Sequence, residues 1–118
     1  MHINYDYLAG MFEGFDYYQS KCNDLRKIPE DLAIEYLTMK LCSEVGKLSD
    51  IVQDRLDRGE PLDFITIMNE SLGDTLSCLV LLIDRMGLNL SDVAFSNLNK
   101  ELKSKIDYKV SKIGTKKH

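Results

Sequence analysis

Between positions 37 and 52, apolar residues return every three or four places: Leu37, Leu41, Val45, Leu48 and Val52. That spacing is the period of an α-helix with one apolar side. No stretch of the chain shows the every-second-residue alternation of a half-buried strand. Only two prolines and seven glycines interrupt 118 residues, so long helices are permitted. The pattern predicts four of them. The first covers about residues 4–24, with Tyr7, Leu8, Met11, Phe12, Phe15 and Tyr18 on its apolar side. The second runs from Pro29, suited to a first helical position, to Arg58, and is stopped by Gly59 and Pro61. The third covers about residues 62–86 and stops at Gly87. The fourth starts at Ser91 as N-cap and runs to about Val110. Short connections between long helices imply antiparallel neighbours, hence an all-α four-helix bundle over residues 1–112. A basic tail, 113–118, is expected to be disordered.

The third helix changes character along its length. Up to Asp74 it is amphipathic, but TLSCLVLLI (75–83) is apolar on nearly every side. A helix that is apolar all round must be covered all round. A four-helix chain of this length has little with which to do that, so a homo-oligomer is expected, with the third helix at the interface.

Charge and cysteines bound the setting. The net charge is −4, but residues 98–118 carry seven lysines against Glu101 and Asp107. The overall acidity and the lack of aromatics interleaved among those lysines argue against nucleic-acid binding. Cys22, Cys42 and Cys78 form no CxxC pair, which fits free thiols in a reducing compartment. MHINYDYLAG does not read as a signal peptide, and the apolar run LVLLI is too short to span a bilayer. The expected location is the cytoplasm, without membrane association. His2 and His118 have no partner at metal-ligand spacing. Tyr17 and Tyr18 read first as core residues and second as a base-stacking surface.

Two carboxylates break the apolar pattern. Glu44 lies one turn after Leu41 and one turn before Leu48, on the apolar face or at its edge. Asp74 lies one turn from Ser71 and Cys78, with Ile67 and Leu81 on the same otherwise uncharged face. Glu70 is four residues before Asp74. An ionised carboxylate in a dry core costs several kcal/mol unless paired or bound to a metal. Lys47 to Asp74, or Lys40 to Glu44, would supply the pairing; a hard cation such as Mg2+ would supply the alternative.

KLCSEVGKLSD (40–50) resembles the KLxEEVGELxE stretch of MazG-like nucleoside triphosphate pyrophosphohydrolases. ESLGDTLSCLVLLIDRMGLNLSDV (70–93) resembles their EELGDVLxxLxxLAxxLGIDLEEV stretch, and NLNKEL (97–102) resembles the Asn and Lys segment that follows. The resemblance spans about residues 36–105. It implies an all-α fold on a four-helix core, dimeric or tetrameric. It also implies hydrolysis of a (deoxy)nucleoside triphosphate to monophosphate and pyrophosphate, with Mg2+ held by four carboxylates on two helices. Two acids at i and i+3 share a helix face, and Mg2+ takes hard oxygen ligands.

Carried over residue by residue, Glu44 and Asp74 match the expected catalytic and metal-ligand positions. The other two do not: Lys47 and Ser71 stand where glutamates are expected, and Ser43 replaces the flanking acid. A lysine ammonium about 5 Å from Mg2+ is repelled by roughly 6–7 kcal/mol at an effective dielectric of about 20, before screening. A two-metal site is therefore not expected. One Mg2+ on Glu44 and Asp74 remains, with Ser71 or Glu70 as further candidate ligands, although Glu70 points about 100° away from Ser71. Lys40, Lys47, Asn97 and Lys100 are the candidate substrate-binding residues. The alternative expectation is a catalytically silent oligomer that binds a nucleotide or a partner, with Lys47 neutralising the two acids.

Overall fold

The computed structural model describes the backbone of residues 5–26, 28 and 30–115, and the side chains of residues 10–26, 28 and 30–109. Four helices follow in order: α1 (Tyr5–Leu25), α2 (Ala33–Arg58), α3 (Phe64–Arg85) and α4 (Leu90–Thr115). No strand occurs among the described residues. The all-α, four-helix expectation holds.

α3 is the central helix. It runs beside α2 along much of its length and also meets α1 and α4, whereas α2 and α4 do not adjoin each other. The core gathers where α3 is most apolar. Cys78, Val80 and Leu81 of α3 pack with Leu37 of α2 and Cys22 of α1. Tyr18, Ile28, Leu41, Leu82 and Leu90 close around them. Between α1 and α4, Phe12 stacks on Phe95 with ring centroids 4.3 Å apart, and Phe15 meets Phe95 edge-on. Aromatic pairs in these geometries add to what their burial contributes.

Several boundaries differ from the sequence reading, for local reasons. α2 begins at Ala33, not at Pro29, which lies outside the described residues. Leu32 just before it is left-handed (φ 60°, ψ 27°) while its carbonyl accepts from the Tyr36 amide at 2.8 Å. α3 stops where Gly87 was expected to stop it. Gly87 takes φ 75°, and the Leu88 amide donates back to the Ile83 carbonyl, which satisfies the last turn.

Ser91 is not an N-cap. α4 already starts at Leu90, and Ser91 is buried with its hydroxyl donating to Asp16 on α1. The start of α4 is satisfied instead by Gln19 of α1, whose Oε1 accepts the Leu90 amide at 2.6 Å. At the other end α4 continues to Thr115, through the first part of the expected tail; residues 116–118, with His118, lie outside the described residues, as do His2 and the side chains of Tyr7 and Leu8.

The apolar stripe of α2 is also re-phased. Leu37 is buried and Leu41, Leu48 and Ile51 are half-buried, while Val45 and Val52 face outward. The buried line therefore runs Leu37, Leu41, Glu44, Leu48, Ile51, with the carboxylate in its middle. α3 has buried Ser71, Ser77, Cys78, Val80, Leu81 and Ile83, but Leu72, Leu76 and Leu79 remain 40–51% exposed. By length and composition alone α3 could also cross a membrane, with a mean hydropathy of 1.3 over 18 residues. The expectation drawn from LVLLI considered only part of this helix. That 18-residue window carries Glu70 and Asp74 among its apolar residues, and 28% of it is buried within the chain.

Candidate functional site

A cleft of about 390 Å³ opens between α2 and α3, closed at one end by the chain that leaves α1. Its lining brings Glu44 of α2 and Asp74 of α3 together, as the sequence required. The other lining residues are Arg26, Ile28, Tyr36, Leu37, Lys40 and Leu81. The size falls within the roughly 300–1,000 Å³ usual for small-molecule sites.

Glu44 is 6% exposed. It is buried because its position on α2 belongs to the core-facing line and α3 passes over it. One oxygen, Oε1, accepts from Lys47 Nζ at 3.3 Å. The other, Oε2, is buried with no hydrogen-bond partner. One turn before Asp74, the Ser71 hydroxyl is likewise buried and unpartnered. Buried polar atoms are nearly always bonded, so the open oxygen of Glu44, on the cleft, can accept from a ligand or from water.

Asp74 lies at the cleft's rim, exposed, and among the described residues it makes no ion pair. The pairing settled by the structure is Lys47 with Glu44, within one helix. Neither pairing raised from the sequence, Lys47 with Asp74 or Lys40 with Glu44, is formed. Lys47 stays 63% exposed, so its bond to Glu44 is made from the solvent side.

Lys40 lines the cleft, with its ammonium 5.9 Å from the centre of the Tyr36 ring. Cys78 lies in the core behind the lining residues Leu37 and Leu81. It is fully buried, its thiol donates to the Leu37 carbonyl at 3.5 Å, and burial pushes its pKa up. Glu44 pushes the same way, while Lys40 and Arg26 pull it down, so the thiol senses charges of both signs around the cleft.

The other expected residues are placed elsewhere. Glu70 is exposed, and neither it nor Ser71 lines the cleft. Asn97 and Lys100 are exposed on α4, which does not adjoin α2, so within one chain they do not reach Glu44. The order of motifs along the chain did not reveal which helices would be neighbours. Conversely, the sequence reading passed over Arg26, Ile28 and Tyr36. Tyr36 had a signal, lying four residues before Lys40 on one side of α2; Arg26, beyond the end of α1, had none.

Among the described residues no three acidic, cysteine or histidine side chains gather as metal ligands. Glu44 Oε2 and Asp74 are hard oxygen donors on one cleft, the donor type Mg2+ takes together with phosphate and water; the Ser71 hydroxyl does not line that cleft. These donors do not fit two ions, because Lys47 holds the second oxygen of Glu44. Set beside known proteins, the chain matches no family model, no curated protein and no solved structure.

Proposed function

We propose that the chain is a divergent MazG-like nucleotide pyrophosphohydrolase, cleaving a (deoxy)nucleoside triphosphate to monophosphate and pyrophosphate with one Mg2+. The observation that carries this reading is the buried, half-satisfied Glu44 carboxylate sharing a cleft with Asp74. When bound, Mg2+ neutralises the phosphate chain and makes water a better nucleophile. Glu44 and Asp74 would hold it. Lys40 offers the phosphates a cation from the cleft wall. Asp74, exposed at the rim, would orient water and accept its proton. The cytoplasm, where nucleotides are abundant, is the location this reading expects.

A second reading is favoured by the Lys47–Glu44 ion pair: the cleft binds a nucleotide without turning it over. One assay separates the two. Pyrophosphate release is followed over the common NTPs and dNTPs with Mg2+ and with Mn2+. The first reading expects turnover that Glu44→Ala and Asp74→Ala both abolish. Absence of turnover, with nucleotides still raising the melting temperature, selects the second. Neither turnover nor a thermal shift would end both.

The partner proposed for the exposed apolar faces is a second copy of this chain. The radius of gyration is 19.3 Å, against about 13.5 Å for a compact chain of this length. The accessible surface is 9587 Å², roughly 3,000 Å² above that of a folded monomer of this mass. Interfaces of obligate dimers bury about 1,000–2,500 Å² on each partner, so a twin chain would cover most of that excess. Leu72, Leu76 and Leu79 on α3 and Val45, Val52 and Leu56 on α2 provide the apolar rows. Light scattering at micromolar concentration should give a dimer or tetramer; a monomer would overturn the assignment.

A further inference from the structure

The cleft has an acidic side, Glu44 and Asp74, and a cationic side, Arg26 and Lys40. The cationic side is the less expected. Arg26 and Lys40 are both half-buried, and among the described residues neither makes an ion pair. With no carboxylate paired to either, both cations are available to an anionic ligand. Lys47 meanwhile takes up the charge of Glu44 from outside. The lining thus has two cations and two carboxylates, one of which Lys47 already offsets from outside. The balance favours an anion over a cation.

The remaining groups define what else the ligand carries. Tyr36, Ile28, Leu37 and Leu81 give it apolar surface. Glu44 Oε2, buried and without a donor, calls for a hydroxyl or N–H group on the ligand. Phosphate, an apolar or ring portion and a hydrogen-bond donor together describe a nucleotide.

We propose that Arg26 and Lys40 bind the phosphate groups directly, so that nucleotide binding here needs no divalent cation, whatever hydrolysis needs. In this arrangement Glu44 has changed role: with Lys47 on one oxygen, it serves binding as a hydrogen-bond acceptor for the sugar or base. Arg26 suits the task because its planar fork matches a phosphate bidentately, and Lys40 adds a point charge. The proposal rests on the nucleotide reading above but not on turnover.

The test is calorimetric titration of the full chain with the common NTPs and dNTPs, in EDTA and again in Mg2+. The expected result is that at least one nucleotide binds in EDTA with a Kd within about threefold of its Mg2+ value. Arg26→Ala and Lys40→Ala should each weaken that binding about tenfold or more, the usual effect of losing a charge-assisted hydrogen bond. Arg26→Lys should recover part of the loss, and circular dichroism checks that each variant stays helical. Binding seen only with Mg2+ overturns the inference and leaves the proposed function standing. Binding in EDTA that ignores both substitutions also overturns it. No nucleotide binding in either condition overturns both.

Discussion

Two buried polar side chains, Gln19 and Glu44, are each 6% exposed and meet opposite fates. Gln19 is saturated. Its amide donates to Asp84 at 3.1 Å and to the Leu88 carbonyl at 2.9 Å, and its oxygen accepts the Leu90 amide at 2.6 Å. It ties α1 to the turn between α3 and α4 and leaves nothing over for a ligand. Glu44 has one long bond to a mostly exposed lysine and one oxygen with no partner. Both are polar intrusions into apolar helix faces. One completes the scaffold; the other is left incomplete by the scaffold. An open acceptor on a cleft wall is what distinguishes Glu44 from Gln19.

The comparison can be broken by substitution. The largest effect is expected at Gln19. Gln19→Leu leaves the Leu90 amide and the Leu88 carbonyl without their partner and should cost about 2–4 kcal/mol in urea unfolding. Gln19→Glu, nearly the same shape, should cost at least as much, because both donations become repulsions with Asp84 and the Leu88 carbonyl. Glu44→Leu should go the other way. Removing a buried, half-satisfied carboxylate from an apolar line should stabilise the chain by about 1–2 kcal/mol, while abolishing any nucleotide-induced thermal shift. If Glu44→Leu destabilises as much as Gln19→Leu, the two centres are alike and the distinction fails.

Smaller effects sharpen it. Lys47→Gln should change stability by less than about 1 kcal/mol, since an exposed partner contributes little. It should nevertheless tighten Mn2+ binding measured by calorimetry, because it frees Glu44 Oε1. The smallest effect concerns Cys78. Its thiol pKa is raised in the folded protein, chiefly by burial, so the unfolded chain loses its proton first as pH rises. The stability it contributes is complete below the ordinary thiol value of about 8.5 and declines as pH climbs toward the folded one. Unfolding stability should therefore fall above about pH 8.5, and Cys78→Ala should fall less steeply over the same interval.

The helices were legible because the 3.6-residue period is written directly in apolar spacing. Glu44 and Asp74 were legible because each is a charge set on such a face. Lys47 and Ser71 were legible as replacements only beside the motif they depart from. What escaped was set by distant partners. Ser91 looks like a cap from its neighbours, but Gln19, 71 residues before Leu90, does the capping. Gln19 carried a faint signal of its own, standing between Phe15 and Cys22 at helical spacing. Asn97 and Lys100 were misplaced because helix adjacency is a property of packing, not of chain order. Arg26 sits outside any periodic segment, so only the path of the chain after α1 brings it to the cleft.

The surplus of about 3,000 Å² of accessible surface has a thermodynamic corollary if a twin chain covers it. Folding then becomes a bimolecular equilibrium, and the native fraction is set by how much protein is present as well as by temperature. Dilution alone would act as a denaturant, and the midpoint of melting would climb as the solution is made more concentrated.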